Sequence, residues 1–207
     1  MTIQFRPAQA LDVDAAVPLI YSAAPEAFEY LYTLSNKTAH DFLHYAFLDG
    51  KGLYGWRNHT VATIDEQVVG IGAFFSGQDY RALTQTLMMQ MLRYYSKLLL
   101  PQLTLRSFHL AQIVAPPPFN CHFLMDFGVR EDVRGQGIGT AFIHHHLALA
   151  QQLGRESLGL DVAVTNHNAQ ALYERLGFQV VRERQFKGTK GAVPDSRRMI
   201  MMLSPTV

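Results

Sequence analysis

Residues 123–129 read FLMDFGV, residues 130–140 read REDVRGQGIGT and residues 141–153 read AFIHHHLALAQQL. The first run predicts a buried strand and the third an amphipathic helix, so the middle run is a glycine-rich turn between them. Its glycines let the backbone approach a ligand, and the helix that follows begins with unpaired amides. Together with the positive end of the helix dipole and the charge of Arg134, this turn predicts a site for a phosphate or pyrophosphate.

The spacing of the glycines excludes two common phosphate-binding motifs. A P-loop needs a lysine directly after its last glycine, and none follows this turn. A dinucleotide-binding turn needs Gly-x-Gly-x-x-Gly, which Gly135, Gly137 and Gly139 do not form. The pattern that does fit is Arg/Gln-x-x-Gly-x-Gly/Ala at Arg134, Gly137 and Gly139. In this respect the turn resembles the coenzyme A signature of the GNAT superfamily of acyl-CoA-dependent N-acyltransferases.

A second stretch makes the resemblance more specific. Residues 166–178 read NHNAQALYERLGF. The later motif of that superfamily, Asn-x-x-Ala-x-x-Leu-Tyr-x-x-x-Gly-Phe, matches them without a gap at Asn166, Ala169, Leu172, Tyr173, Gly177 and Phe178. The two motifs occur in the expected order, joined by the helix and by a short strand at 157–164.

The resemblance implies an α/β fold. Its sheet is expected to be mixed, with parallel and antiparallel strands, which is a feature shared with α+β folds. About seven strands are expected, splayed between the fourth and fifth, with helices on both faces. The runs TVATID and VVGIGAFF read as a hairpin in the antiparallel half. Strands 123–129 and 157–163 would be the parallel pair that splays, and Gly128 is consistent with a bulge that opens the gap.

Length and composition predict a single domain over residues 1–207 that buries one core. Of the 207 residues 48% are hydrophobic, 17% are charged against about 25% in average proteins, and the net charge is +1. Such a small net charge produces only a weak electrostatic field, which argues against nucleic acid and anionic lipid as partners. A lone cysteine and the lack of an apolar signal or spanning run predict a cytoplasmic protein that does not enter the membrane.

The segment at about 78–118, between the third and fourth strands, exceeds what a minimal member of the superfamily has. Leu83, Leu87, Met91, Tyr94 and Leu98 recur at helical spacing and predict a wide apolar helix over 80–99, ended by Pro101. We expect its stripe to be mostly covered, by its own domain or by a second subunit. The insert is then a wall of the acceptor pocket, a contact in a homodimer, or plain core packing.

The resemblance also assigns residues around acetyl-CoA. The backbone of Phe127 and Val129 would contact the pantetheine arm, while the pyrophosphate would be held by the turn, namely Arg134, Gly135, Gln136, Gly137, Ile138, Gly139 and Thr140. Asn166, Ala169 and Tyr173 share a helix face that would meet the coenzyme. Tyr173 matches the general acid, with a buried structural tyrosine as the alternative, and Asn166 has the alternative role of an ordinary N-cap.

A general base is less clearly marked. By period two, His122 and Asp126 lie on one face of the strand and either could take a proton. Asp126 is nearer the expected thioester, but it could instead bind a cationic substrate or cap a loop. The consecutive histidines 144–146 fan apart on their helix and cannot share one metal, so no metal site is expected.

These features favour an N-acetyltransferase that moves the acetyl group of acetyl-CoA to the primary amine of a small molecule, by direct attack in a ternary complex. A protein N-terminal or lysine acetyltransferase is one alternative. A catalytically silent module that binds coenzyme A is the other, and the retained Tyr173 favours an enzyme over it.

Overall fold

The computed structural model describes residues 2–203, which form one seven-stranded sheet in the order β1-β2-β3-β4-β5-β7-β6. Only β4 and β5 are parallel neighbours, and the other adjacent strands pair antiparallel. The predicted mixed sheet is therefore confirmed. The strands are β1 (Gln4–Pro7), β2 (His59–Ile64), β3 (Gln67–Phe75), β4 (Cys121–Val129), β5 (Ser157–Ala163), β6 (Gln179–Arg184) and β7 (Ser196–Met202).

Helices cover both faces of the sheet, as predicted. They are α1 (Val13–Ala23), α2 (Pro25–Tyr32), α3 (Ala39–Asp49), α4 (Gly77–Tyr94), α5 (Leu100–Leu110), α6 (Ile138–Gln152) and α7 (His167–Arg175). One core cluster draws on α1 to α5, and a second draws on α6 and α7. Burial of these apolar side chains is the main force that holds the layers together.

The parallel pair separates part of the way along. The ladder between β4 and β5 runs from Cys121 opposite Ser157 to Leu124 opposite Leu160, and β4 then continues to Val129 with β3 on one side and no strand on the other. Strand β5 keeps its pairing with β7 up to Ala163, so its other edge stays in the sheet. The predicted splay is confirmed, and it leaves backbone hydrogen-bonding groups of both strands facing a gap.

A bulge lies in β4 at the gap, but not on Gly128. Opposite β3, Ile71 pairs with Gly128 and Ala73 with Met125, so β4 carries one extra residue between them. Asp126 within this stretch has φ of 55°, in the left-handed region. Gly128 has a different reason to be glycine, because a Cβ there would lie 2.0 Å from the carbonyl oxygen of Leu19 in α1. The glycine thus lets α1 pack against the strand.

The insert contains two helices; the helix predicted over 80–99 is present only as far as Tyr94, and the expectation that Pro101 ends it was wrong. Helix α4 ends at Tyr94, a single 3-10 turn follows at Lys97–Leu99, and Pro101 lies in the first turn of α5. Proline fits there because the first amides of a helix have no partner within it. Within the predicted stripe, Leu87 is buried, Leu83, Met91 and Tyr94 are half-buried and Leu98 is exposed.

A buried histidine pair joins β4 to α6. The Nε2 atom of His122 lies 3.3 Å from Nδ1 of His146, and both rings stack on Phe74. Burial lowers the pKa of His122 to about 4 and that of His146 to about 3. His144 is exposed, so the three consecutive histidines do diverge as their helix requires.

This pair predicts a loss of stability in mild acid. The folded pKa values lie below the unfolded value of 6.5, so the unfolded state binds more protons as pH falls from 6.5 towards about 3 to 4. Each histidine then costs about 2 kcal/mol between pH 6.5 and pH 5. We expect His146→Phe to reduce the fall in Tm between pH 7 and pH 5, measured by thermal unfolding. His144→Phe is the control, and an equal effect of both variants would contradict the assignment.

Candidate functional site

A cavity of about 760 Å³ opens where β4 and β5 part. Its walls come from the free end of β4, the glycine turn, β5 and α7, and from α1, α2 and the end of α5 on the remaining sides. The lining includes Phe28, Tyr32, Tyr54, Leu110, Val114, Met125, Asp126, Phe127, Val129, Arg134, Gly135, Gly137, Ile138, Gly139, Thr140, Asp161, Asn166, Ala169 and Tyr173.

The glycine turn presents free amides to this cavity. Gly135 and Gly137 have φ of 77° and 84°, a region that strongly favours glycine, and open space surrounds the position of a Cβ on either. The Ala141 N–H donates to the Gly137 carbonyl as the first bond of α6, so the amides of Ile138, Gly139 and Thr140 precede the helical ladder. This arrangement suits an anion such as a pyrophosphate.

Gly137 permits a test in which only one charge differs. Asp and Asn have nearly the same size and both tolerate left-handed backbone, so they share any strain at this position. We expect Gly137→Asp to weaken the binding of coenzyme A about 30-fold more than Gly137→Asn does, because a carboxylate would repel a neighbouring phosphate. Calorimetry on both folded variants measures this difference. Equal affinities of the two variants for coenzyme A would show that the phosphate does not bind at this turn.

The second motif builds α7 and its ends. Asn166 caps the helix, since its Oδ1 accepts from the Ala169 N–H at 3.1 Å. Gly177 takes φ of 97° to end the helix, and the Phe178 amide then donates to the Tyr173 carbonyl at 3.0 Å. The two motifs also touch, because a Cβ on Gly139 would lie 3.0 Å from Leu172 Cδ2. Part of each motif therefore serves packing between α6 and α7.

The ring of Tyr173 is tightly packed, whereas its hydroxyl is available for a hydrogen bond. The ring is 7% exposed and packs edge-on against Phe178, with 5.7 Å between the centroids. No protein partner of the hydroxyl is found within residues 2–203, and the side chain lines the cavity. Burial raises the pKa of the phenol above its usual 10, so Tyr173 carries its proton at neutral pH.

Asp126 reaches the cavity from the bulge. Its Oδ2 atom is shielded from solvent and has no hydrogen-bond partner among the described residues. Burial raises the pKa of this carboxyl to about 7. Burial raises the pKa of Tyr32 and Tyr54, which belong to the α1–α5 side of the sheet, and the charge of Asp126 adds to this rise. An unpaired carboxylate of this kind can accept a proton or hold a cation.

His122 does not share this position, so the expectation that it lies on the same face as Asp126 was wrong. It packs against Phe74 and His146 on the α6 side and does not line the cavity. The cause is the extra residue in β4, which reverses the alternation of side chains beyond Met125. Gln136 also does not line the cavity, because its side chain turns back to the Asp132 carbonyl at 3.5 Å.

The other residues proposed from the sequence all line the one cavity. Sequence reasoning did not single out the residues that close its far side, such as Tyr54, Leu110 and Val114. It also missed Asp161, the first residue of β5 beyond the last rung. Arg198 binds both its oxygens, at 2.9 and 2.7 Å, and donates to the carbonyls of Pro116 and Ala115. This buried pair ties the end of the insert to the opening.

A mixed sheet with an opened parallel pair beside a glycine-rich helix start is the fold of N-acetyltransferases of known structure. An N-acetyltransferase from Staphylococcus aureus Mu50 superposes with a TM-score of 0.72 at 14% identity, over 96% of this chain and 100% of that chain. The ribosomal-protein-S18-alanine N-acetyltransferase from Escherichia coli gives a TM-score of 0.58 at 17% identity, over 100% of this chain and 97% of that chain.

The sequence itself places the protein in a family. The model of the acetyltransferase (GNAT) family matches residues 18–178, and the chain belongs to that family. An uncharacterized N-acetyltransferase of Methanocaldococcus jannaschii is 45% identical over 51 residues, which is 25% of this chain. The match spans 23% of the length of that relative. Among the described helices, none has the length and hydropathy needed to span a bilayer.

Proposed function

We propose that this protein is an acetyl-CoA-dependent N-acetyltransferase that acetylates the primary amine of a small molecule by direct attack in a ternary complex. The observation that carries the proposal is that Asp126 and Tyr173 line the same cavity as the free amides of the glycine turn. In these proposed roles they would supply a proton acceptor, a proton donor and an anion site at the opening between β4 and β5. That set is what amine attack on a thioester requires.

The residues present fit the coenzyme. The amides of Ile138 to Thr140 and the nearby Arg134 would hold the pyrophosphate, and the open Cβ positions of Gly135 and Gly137 leave it room. The edge of β4 after Leu124 that has no strand beside it would bind the extended pantetheine arm in place of β5. Acetyl-CoA would supply the acetyl group in its activated thioester form.

Asp126 and Tyr173 would manage the protons. With a pKa of about 7, Asp126 is partly ionised at neutral pH and can take the proton that an ammonium group must lose before its nitrogen attacks the acetyl carbon. The second proton that leaves the nitrogen after attack would replace the one that Tyr173 gives to the sulfur. The carbon–sulfur bond breaks in the same transfer. The Tyr173 hydroxyl, free of protein partners in residues 2–203, would donate its hydrogen to the departing sulfur.

The proposal is tested by following thiol release when acetyl-CoA is mixed with a panel of amines, together with calorimetry for coenzyme A. Binding with amine-dependent thiol release supports the enzyme. Binding without release by any amine, peptide or protein acceptor would favour the silent module instead. The absence of any binding would overturn the cofactor assignment as well.

A further inference from the structure

The part of the cavity away from the glycine turn is apolar and aromatic. We call it the acceptor end, formed by Ala27, Phe28, Tyr32, Tyr54, Leu110 and Val114 together with Asp126. Phe28 and Tyr54 meet edge to face with 5.7 Å between centroids, and the Tyr32 hydroxyl donates to that of Tyr54 at 3.0 Å. These contacts fix the rings, so the acceptor end is a preformed apolar surface.

The charges around the cavity are unevenly placed. Among the described residues that line it, four are charged, namely Asp126, Arg134, Asp161 and Arg175. Asp161 is neutralised by Arg198 at 2.7 Å. Both arginines belong to the glycine turn and α7, on the proposed coenzyme side. The acceptor end therefore holds one unpaired carboxylate and no lining cation that would bind an anionic group of the acceptor.

Helices α2 and α5, which both contribute side chains to the acceptor end, are joined to each other. The Tyr30 hydroxyl in α2 lies 2.6 Å from Nδ1 of His109 in α5, and Phe186 of the β6–β7 connection packs edge-on against Tyr30 at 5.2 Å. Arg106 adds hydrogen bonds from α5 to the carbonyls of Tyr30 and Thr33, at 2.7 and 2.9 Å. These links hold α2 and α5 in place, and with them Phe28 and Leu110 of the acceptor end.

From these three observations we propose that the acceptor is a primary amine on an apolar, preferably aromatic, body that carries no carboxylate beside the amine. The inference rests on the proposed function and narrows it to a substrate class. The ammonium group would pair with Asp126, and the apolar body would lie against Phe28 and Tyr54, whose ring faces also attract a cation. A carboxylate at the same place would meet Asp126 and find no cation, so amino acids are rejected.

Three acceptors that share one side chain test the class. Phenylalaninamide and phenylalanine have nearly the same shape and differ by one negative charge, and a peptide that begins with phenylalanine extends the neutral amide into a chain. We expect kcat/KM for phenylalaninamide to exceed that for phenylalanine by about 100-fold, as the burial of an unpaired charge implies. The peptide is expected to react at least about tenfold more slowly than the amide, because the fixed walls of the acceptor end would have to move to admit the rest of its chain.

Asp126→Asn separates the selectivity from any catalytic role of this residue. A role in proton transfer alone would lower the rates of both acceptors in proportion, whereas the proposed charge recognition predicts that the amide-to-acid ratio falls about tenfold or more in the variant. Intrinsic differences between the two amines cancel in this comparison. Calorimetric binding of each acceptor to the complex with coenzyme A gives the same ratio without turnover.

The outcomes are distinct from those for the proposed function. Acetylation of phenylalanine or of the peptide as fast as the amide would overturn the substrate class and leave an acetyltransferase of other specificity. If the protein bound coenzyme A but neither the amide nor 2-phenylethylamine, the proposed substrate class would be overturned and the proposed function would stand. Failure to bind coenzyme A would overturn the proposed function itself.

Discussion

Replacing Asp126 by asparagine is expected to lower kcat/KM by roughly 100-fold, the lower range for loss of a general base. The same change is expected to raise the Tm at pH 8. Asparagine keeps the shape of the side chain and tolerates φ of 55°, so the bulge in β4 should persist. The variant therefore removes a buried charge with little disturbance to the backbone that carries it.

The pH dependence of stability has a definite sign. The carboxyl has a folded pKa of about 7 against 3.8 when unfolded, so the unfolded state releases its proton first as pH rises. The wild type loses up to roughly 4 kcal/mol between pH 3.8 and pH 7, an upper limit because the residue is half-buried and open to the cavity. The Tm advantage of Asp126→Asn should thus grow from pH 4.5 to pH 8, as measured by thermal unfolding.

The hairpin between β2 and β3 supplies a matched control. Asp65 also has left-handed backbone, with φ of 47°, but it is exposed in the turn. Asp65→Asn repeats the chemical change without burial or a cavity and is expected to alter neither kcat/KM nor the pH dependence of Tm. If Asp126→Asn behaved like this control, Asp126 would be neither the base nor a strained buried charge.

Both motifs could be interpreted from the sequence because their signals are local. The turn at Gly135 and Gly137 needs left-handed backbone, and the helix start that it precedes depends only on adjacent residues. Asn166, Tyr173 and Phe178 are likewise linked within one helix and its caps. The splay of the sheet followed from the family resemblance that these motifs carry.

The remaining features depend on contacts between distant segments. One extra residue in β4 places Asp126 on the opposite face of the strand from His122. A prediction that assumes strict alternation of side chains cannot detect such a bulge. Tyr54 and Leu110 reach the acceptor end only through the packing of α2, α3 and α5. The apolar repeat over 80–99 runs past the end of α4 at Tyr94 into the 3-10 turn at Lys97–Leu99, so the periodicity did not mark the break.

Tyr173→Phe is expected to lower kcat by roughly 100-fold or more while the affinity for coenzyme A stays within a few-fold. In solution this proton transfer is almost balanced, since a thiol has a pKa near 8.5 and a phenol a pKa near 10. In the structure, burial raises the pKa of the Tyr173 phenol. Burial in the same cavity would also raise the pKa of a thiol. The tyrosine can therefore still supply the proton as negative charge develops on the sulfur.

The variant is informative because phenylalanine keeps the ring that packs on Phe178 and removes only the hydroxyl, which has no protein partner in residues 2–203. We therefore expect the Tm to change little, and calorimetry with coenzyme A together with steady-state kinetics gives the other two quantities. Tyr45→Phe, at a half-buried tyrosine that does not line the cavity, is the matched control. A lower Tm with normal turnover would show that Tyr173 acts through packing, and water would then protonate the leaving sulfur.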